Sequence, residues 1–134
     1  RSNVHALRTL NEGEQRLCGP KPLLPETELS RDCIVIEDLD AALEGVDAVM
    51  LLRLQRERME EGLVSSLEDY HRNYGLNAQR LRHAQPDAVV MHPGPINRGV
   101  EVTDEVVDGP QSLILKQVRN GVAVRMAVLV EILS

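Results

Sequence analysis

Aromatic side chains are nearly missing: the 134-residue chain has two Tyr, no Trp and no Phe. A core must therefore be built from Leu, Val, Ile, Ala and Met, and aromatic base-stacking platforms, aromatic cages and membrane-interface belts are disfavoured. Cysteine is scarce as well. Cys18 and Cys33 make no disulfide framework and fall in no C-x-x-C or His-rich metal spacing; they read as reduced cysteines on buried strands. No run of ~18 apolar residues is free of charge, so no membrane span is expected. Positive charge is in deficit, and a net charge of −6 disfavours a nucleic-acid-binding surface. There is no G-x-S-x-G elbow, no P-loop lysine pattern and no G-x-G-x-x-G. His5, His71, His83 and His92 lack metal-ligand spacing, so no metal site is expected, and Asp38 and Asp40 read as helix-start residues rather than a catalytic carboxylate pair. An initiator Met is also lacking. The opening run Arg1-Ser2-Asn3-Val4-His5-Ala6-Leu7 has no signal-peptide pattern and is expected to begin inside something longer or processed.

Apolar residues make up 43% and charged residues 27%, too apolar for intrinsic disorder, and the length suits a single domain spanning 1–134. Val4, Leu7 and Leu10 recur at helical spacing, and Asn11-Glu12-Gly13 stops that helix. Arg16-Leu17-Cys18 predicts a short strand closed by Gly19-Pro20-Lys21-Pro22, and Cys33-Ile34-Val35-Ile36 a stronger one. Asp38 can cap a helix over Leu39 to Glu44, ended by Gly45. Asp47 to Leu52 predicts a strand buried on both faces. A charged stretch runs from Glu60 to Tyr74, then Asn77 can cap a helix through Arg82. Ala88-Val89-Val90-Met91 predicts a fourth strand, buried, and a long helix, apolar around much of its circumference, runs from about Ser112 to the end. Strands alternating with helices predict an α/β fold around one mostly parallel sheet. In such sheets ligands gather beyond the carboxyl ends of the strands. Two segments occupy that position: Arg53 to Arg58, and His92 to Arg98.

In Arg53-Leu54-Gln55-Arg56-Glu57-Arg58 the i, i+2 spacing puts Arg53 and Gln55 on one side of an extended chain. A guanidinium fork beside a carboxamide donor suits a carboxylate, and Glu57 could hold one arginine in a fixed rotamer. A solvated charged turn with local ion pairs fits the same spacing. In His92-Pro93-Gly94-Pro95 the two prolines remove backbone donors while leaving carbonyls free, and Gly94 permits close approach. Such a turn presents C=O acceptors to substrate N–H groups, and Gly94-Pro95 is a candidate cis peptide. A rigid turn with His92 hydrogen-bonded nearby is equally compatible with the residues alone.

At these loops the chain resembles the aspartate-binding half of the aspartate carbamoyltransferase catalytic chain. The resemblance runs over essentially the whole sequence, through Arg1 to Leu7, Met50 to Arg58, Met91-His92-Pro93-Gly94-Pro95-Ile96-Asn97-Arg98-Gly99 and Gln117 to Ala127. The sister ornithine carbamoyltransferases carry a His-Cys-Leu-Pro turn and a Ser-Met-Gly loop instead. The resemblance implies a three-layer, Rossmann-like parallel-sheet domain of the carbamoyltransferase fold, lacking its first, central strand. It implies that Arg53 and Gln55 bind the aspartate carboxylates, that Glu57 orients the arginine, and that Arg58 bridges to the other domain in the closed form. Pro93 and Gly94 match positions whose carbonyls contact the carbamoyl group and the substrate amine, Gly94-Pro95 matches a cis bond, and His92 and Pro95 support the turn. The stretch from Glu60 to about Asn77 corresponds to a mobile loop that closes over the site.

The implied reaction is attack of the L-aspartate amine on carbamoyl phosphate, with no metal or other cofactor, in cytoplasmic pyrimidine biosynthesis. The implied partners are the amino-terminal carbamoyl-phosphate domain, further copies of the full chain in a homotrimer, and regulatory or dihydroorotase-type chains; no nucleic acid or membrane is implied. The family's phosphate-binding turn, catalytic His and a Lys lent by the neighbouring subunit have no counterpart here, so this chain alone is expected to be inactive, with no catalytic residue assigned in it. The final helix, around Val124, Val128 and Ile132, is expected to expose the apolar surface that packs on the amino-terminal domain. Two other readings stay open at this point: a non-catalytic carbamoyltransferase-like assembly module, and a carbamoyltransferase for a different amine, which would leave Arg53 and Gln55 without a carboxylate to bind.

Overall fold

The computed structural model describes residues 2–10, 13–25, 33–54 and 66–134. Within these the chain forms α1 (Ser2–Leu10), β1 (Arg16–Cys18), a 3-10 turn (Lys21–Leu23), β2 (Ile34–Ile36), α2 (Leu39–Leu43) and β3 (Ala48–Met50). Then follow α3 (Leu67–Tyr74), α4 (Ala78–Leu81), β4 (Val89–Met91), α5 (Asp104–Val107) and the long α6 (Ile114–Leu133). Two predicted caps are in place. Asp38 accepts the Ala41 N–H at 2.9 Å and Asn77 accepts the Arg80 N–H at 2.9 Å, each satisfying a donor that the first helical turn leaves free.

The α/β class and the parallel pairing are as expected, but the sheet is not continuous. The four strands form two parallel ribbons, β1 with β2 and β3 with β4, with no strand joining them among the described residues. This split corrects the expectation of one mostly parallel sheet, as far as the described residues go. The expectation that Asp47 to Leu52 is buried on both faces is corrected too: Ala48 is exposed, Val49, Met50 and Leu51 are half-buried, and Leu52 is 63% exposed. A strand is buried on both faces only where other layers cover both, and the described residues leave those of β3 partly open. On its other edge β4 is covered, since Val90 exchanges backbone hydrogen bonds with Gln111 and Leu113 at 2.8 Å each. Accordingly Ala88 and Val90 are buried, whereas Val89 and Met91 are half-buried.

The core lies on the β4 side, where Leu43, Leu76, Leu81, Ala84, Ala88, Val90, Val102, Val106 and Ile114 form one buried cluster. α2 links the ribbons. Arg16 of β1 donates to the carbonyls of Ala42 and Glu44 at 3.3 and 2.7 Å, and the Gly45 N–H donates to the His83 carbonyl at 2.9 Å. Two more expectations change. Part of the charged stretch before Asn77 is helical: α3 starts at Ser66, which accepts the Asp69 N–H at 3.0 Å, carries Glu68 and Asp69 in its first turn, and packs Tyr70 on Tyr74. The cysteines are half-buried rather than buried, and Cys33 precedes β2 instead of lying in it.

Burial, with the charge of Asp38 adding to it and Arg80 opposing, pushes the Cys18 thiol up to about 11. At pH 8 its thiolate is then scarce, although each thiolate formed is the more nucleophilic. Alkylation of Cys18 is expected to run roughly 10–100-fold slower than that of an unstructured thiol, measured by mass spectrometry after timed iodoacetamide exposure. A rate equal to the free thiol would contradict its packing.

α6 departs from the ordinary pattern of a packed helix. Only Ile114 is buried along its 20 residues, while Val118, Val122, Val124, Met126, Val128, Leu129, Val130, Ile132 and Leu133 are exposed. The expected apolar surface around Val124, Val128 and Ile132 is present. No helix among the described residues is long and apolar enough to cross a membrane.

Candidate functional site

The register of the second ribbon decides what stands next to what. Met50 is paired with Met91 in parallel, and the Leu51 N–H continues the ladder to the Met91 carbonyl at 2.9 Å. Both strands therefore end at one edge, and the chain beyond each emerges there: Leu52-Arg53-Leu54 from β3, His92-Pro93-Gly94-Pro95 from β4. The two segments are tied again further out, where Asn97 Nδ2 donates to the Leu54 carbonyl at 3.3 Å. Leu54 is buried and Arg53 exposed, so the backbone is anchored while the guanidinium faces solvent. Gln55, Glu57 and Arg58, predicted to join Arg53 or to orient it, lie outside the described residues.

The turn after β4 is held from behind. Gly94-Pro95 is cis, as expected, and Gly94 has φ +68°, a conformation that favours glycine. A Cβ at Gly94 would meet Val118 of α6 at 3.5 Å, an ordinary contact, so it is the backbone angle rather than crowding that selects glycine there. Pro93 and Pro95 are exposed and Gly94 half-buried. His92, by contrast, is fully buried. Its backbone N–H donates to Gln117 Oε1 at 2.9 Å, and its Nδ1 accepts the Gly94 N–H at 2.8 Å. An Nδ1 that accepts carries no proton, so the neutral ring holds its proton on Nε2.

That Nε2 faces Glu101, itself 2% exposed, with 3.4 Å to Oε1. The contact is long and off-line for a hydrogen bond, so its contribution is electrostatic. Glu101 Oε1 accepts the Asn97 N–H at 2.6 Å, while Oε2 is buried without a hydrogen-bond partner. Burial holds His92 below the ordinary imidazole range, the Glu101 carboxylate pulling the other way. Tyr70 registers the same carboxylate: its phenol is pushed up to about 12, first by burial and then by the Glu101 charge. Beyond the turn, Arg98 donates to Asp104 at 2.7 Å and grips Asp108 through two bonds of 2.9 Å, fastening the loop to α5. These hydrogen bonds hold Asp108 below the usual carboxylate range.

Chemistry rather than shape marks this edge. Two concavities among the described residues, about 400 Å³ beside Ala84 and Pro110 and about 300 Å³ beside His71 and Arg80, are lined by neither Leu52 to Leu54 nor His92 to Pro95. Among the described residues no three His, Cys, Asp or Glu side chains are grouped as metal ligands. What the edge offers is an exposed guanidinium beside a turn with two donor-free proline positions. That combination can hold a carboxylate and accept hydrogen bonds from a nearby amine or amide.

A family model for the Asp/Orn-binding domain of aspartate/ornithine carbamoyltransferases matches residues 23–132. The chain belongs to the aspartate/ornithine carbamoyltransferase family. Among carbamoyltransferases it is 69% identical over all 134 residues to the aspartate carbamoyltransferase catalytic subunit of Xylella fastidiosa (strain Temecula1), and 68% identical to that of Stenotrophomonas maltophilia (strain K279a). It spans 42% of the length of each. Solved ornithine carbamoyltransferases share the fold. The protein from Burkholderia thailandensis superposes with a TM-score of 0.75 at 26% identity, over 94% of this chain and 40% of that one. The one from Thermus thermophilus superposes with a TM-score of 0.79 at 24% identity, over 96% and 42%.

Three residues at this edge carry weight that the sequence reading did not give them. Asn97 and Gln117 fell inside quoted motifs without a role, and Glu101 was passed over. Nothing in Val100-Glu101-Val102 signalled it: strand-like alternation puts Glu101 on the face opposite the two valines, which points it to solvent, whereas the fold buries it.

Proposed function

We propose that this chain is the aspartate-binding part of an aspartate carbamoyltransferase, acting in pyrimidine biosynthesis in the cytoplasm. The observation that carries the reading is the parallel register of β3 and β4, which sets the Arg53 segment and the His92–Pro95 turn side by side. The 69% identity to an aspartate carbamoyltransferase catalytic subunit supports aspartate over ornithine as the amine. In the proposed reaction the aspartate nitrogen forms a bond to the carbamoyl carbon, the bond from that carbon to the phosphate oxygen breaks, phosphate leaves with the electron pair, and the amine loses a proton. Arg53 and Gln55 bind the aspartate carboxylates, with Glu57 orienting the arginine and Arg58 reaching the other domain. The carbonyls of Pro93 and Gly94 accept hydrogen bonds from the carbamoyl group and the amine, on a turn supported by His92 and Pro95. Positioning and electrostatics account for such a reaction without a cofactor.

The phosphate-binding groups belong to the amino-terminal carbamoyl-phosphate domain, and full chains assemble as a trimer, with regulatory or dihydroorotase-type chains as further partners. The test is a carbamoylation assay with carbamoyl phosphate and L-aspartate. The complete catalytic chain is expected to form N-carbamoyl-L-aspartate, and the purified 134-residue chain to form none. Ornithine turned over in preference to aspartate by the complete chain would overturn the reading.

A further inference from the structure

The interior of the turn is unusual because its charge sits where solvent does not reach. His92 and Glu101 are both buried, and between them they hold one backbone donor on each side of the cis bond: Gly94 N–H on His92 Nδ1 and, two residues past Pro95, Asn97 N–H on Glu101 Oε1. We propose that Glu101 is a positioning residue, whose carboxylate holds His92 in the Nε2–H form and so aims the Pro93 and Gly94 carbonyls outward at the substrate. The proposal rests on the functional reading above.

The chain of contacts is short and has a direction. A negative charge opposite Nε2 favours the proton on that nitrogen, which leaves Nδ1 free to accept from Gly94. Were the proton on Nδ1, it would point at the Gly94 N–H, and two donors would face each other. The turn would have to shift, and the carbonyls with it. Glu101 also reaches the other loop, because the Asn97 whose N–H it holds donates its side-chain amide to the Leu54 carbonyl, next to Arg53. One carboxylate thereby sets the spacing between the carboxylate-binding arginine and the acceptor turn. A residue retained only for stability has no need of its charge, since a buried carboxylate with one oxygen unpartnered is costly.

The experiment uses the complete catalytic chain carrying Glu101→Gln, which keeps the shape and an acceptor for Asn97 but removes the charge. Three measurements are made beside wild type: steady-state kinetics in both substrates, melting temperature, and the His92 tautomer from ¹⁵N chemical shifts of histidine-labelled protein. Expected are the Nε2–H form in wild type and a mixture of tautomers in the variant. The variant's kcat falls roughly 10–100-fold, as for a catalytic group displaced by a fraction of an ångström to an ångström. KM for carbamoyl phosphate and the melting temperature stay near wild type. An unchanged kcat, or a kcat loss that merely tracks a lowered melting temperature, overturns the proposal. Should the variant fail to fold, wild-type protein alone decides: His92 protonated on Nδ1 overturns the proposal, and Nε2–H supports it. A wild-type chain that does not carbamoylate aspartate sinks the functional reading instead, and the tautomer measurement still reports on the pair.

Discussion

Replacing Arg53 by Ala in the complete catalytic chain is expected to lower kcat/KM for aspartate roughly 10–150-fold, the loss of about 1.5–3 kcal/mol that a charge-assisted hydrogen bond contributes. Arg53 follows the exposed Leu52 just beyond β3, and its side chain is exposed while the neighbouring Leu54 is buried. Truncating an exposed side chain changes stability by within about 0.5 kcal/mol, so the kinetic loss should come without a change in melting temperature. Arg53→Lys is expected to recover only part of it, because an ammonium keeps the charge but not the planar two-pronged donor that matches a carboxylate. Saturation with carbamoyl phosphate should be unaffected by either change. Steady-state kinetics in both substrates, with thermal melts as control, checks all three statements. Wild-type kinetics for the alanine variant would remove Arg53 from the site.

The second large effect concerns the fold. Leu76→Ala is expected to cost about 2–5 kcal/mol, the range for deleting a fully buried leucine side chain. Leu76 has no exposed surface and lies between α3 and α4, within the cluster formed with Val90, Val102 and Ile114. Its backbone also clips the loop beyond the turn: its N–H donates to the Glu101 carbonyl and its carbonyl accepts the Thr103 N–H, each at 3.0 Å. A cavity there removes packing beneath the segment that carries Glu101. Typical domains are stable by only about 5–15 kcal/mol, and the described residues form two separate ribbons and a largely uncovered apolar helix. A large fraction of its stability is therefore at stake. Leu115→Ala, at a position 85% exposed, serves as the contrast and should change stability by less than about 0.5 kcal/mol. Urea unfolding followed by circular dichroism compares the two; equal losses would mean that the cluster around Leu76 is not the core.

The features legible in the residue order are those whose causes are local. Asp38 and Asn77 cap their helices because a short polar side chain reaches an N–H three residues on, whatever surrounds it. The four strands lie where apolar runs are bounded by Gly, Pro and polar residues. The turn after Met91 was readable because proline and glycine restrict the backbone at their own positions, and the adjacency of its two loops followed from both being placed after parallel strands.

Burial was less legible, because it belongs to neighbours rather than to the residue. Asp47 to Leu52 has the composition of a strand covered on both faces, yet Leu52, beyond the end of β3, is largely exposed because no other segment among the described residues packs over it. The charged residues before Asn77 suggested a loop, and a serine cap with a tyrosine pair in the middle of that stretch made a helix of part of it. Glu101 was invisible to pattern because its partner His92 is nine residues away, across a turn whose shape the sequence does not state.

By itself, then, the sequence determined the four predicted strands, the caps at Asp38 and Asn77 and the donor-poor turn, all consequences of interactions within a few residues, and it carried the resemblance to the family. Only the tertiary structure decided that the strands form two ribbons among the described residues, that the apolar run Asp47 to Leu52 stays partly open to solvent, and that a buried carboxylate stands behind the turn. The physical reason is that desolvation, and the pairing a buried charge demands, depend on which distant segments pack together. That is a property of the folded chain and of no short stretch of it.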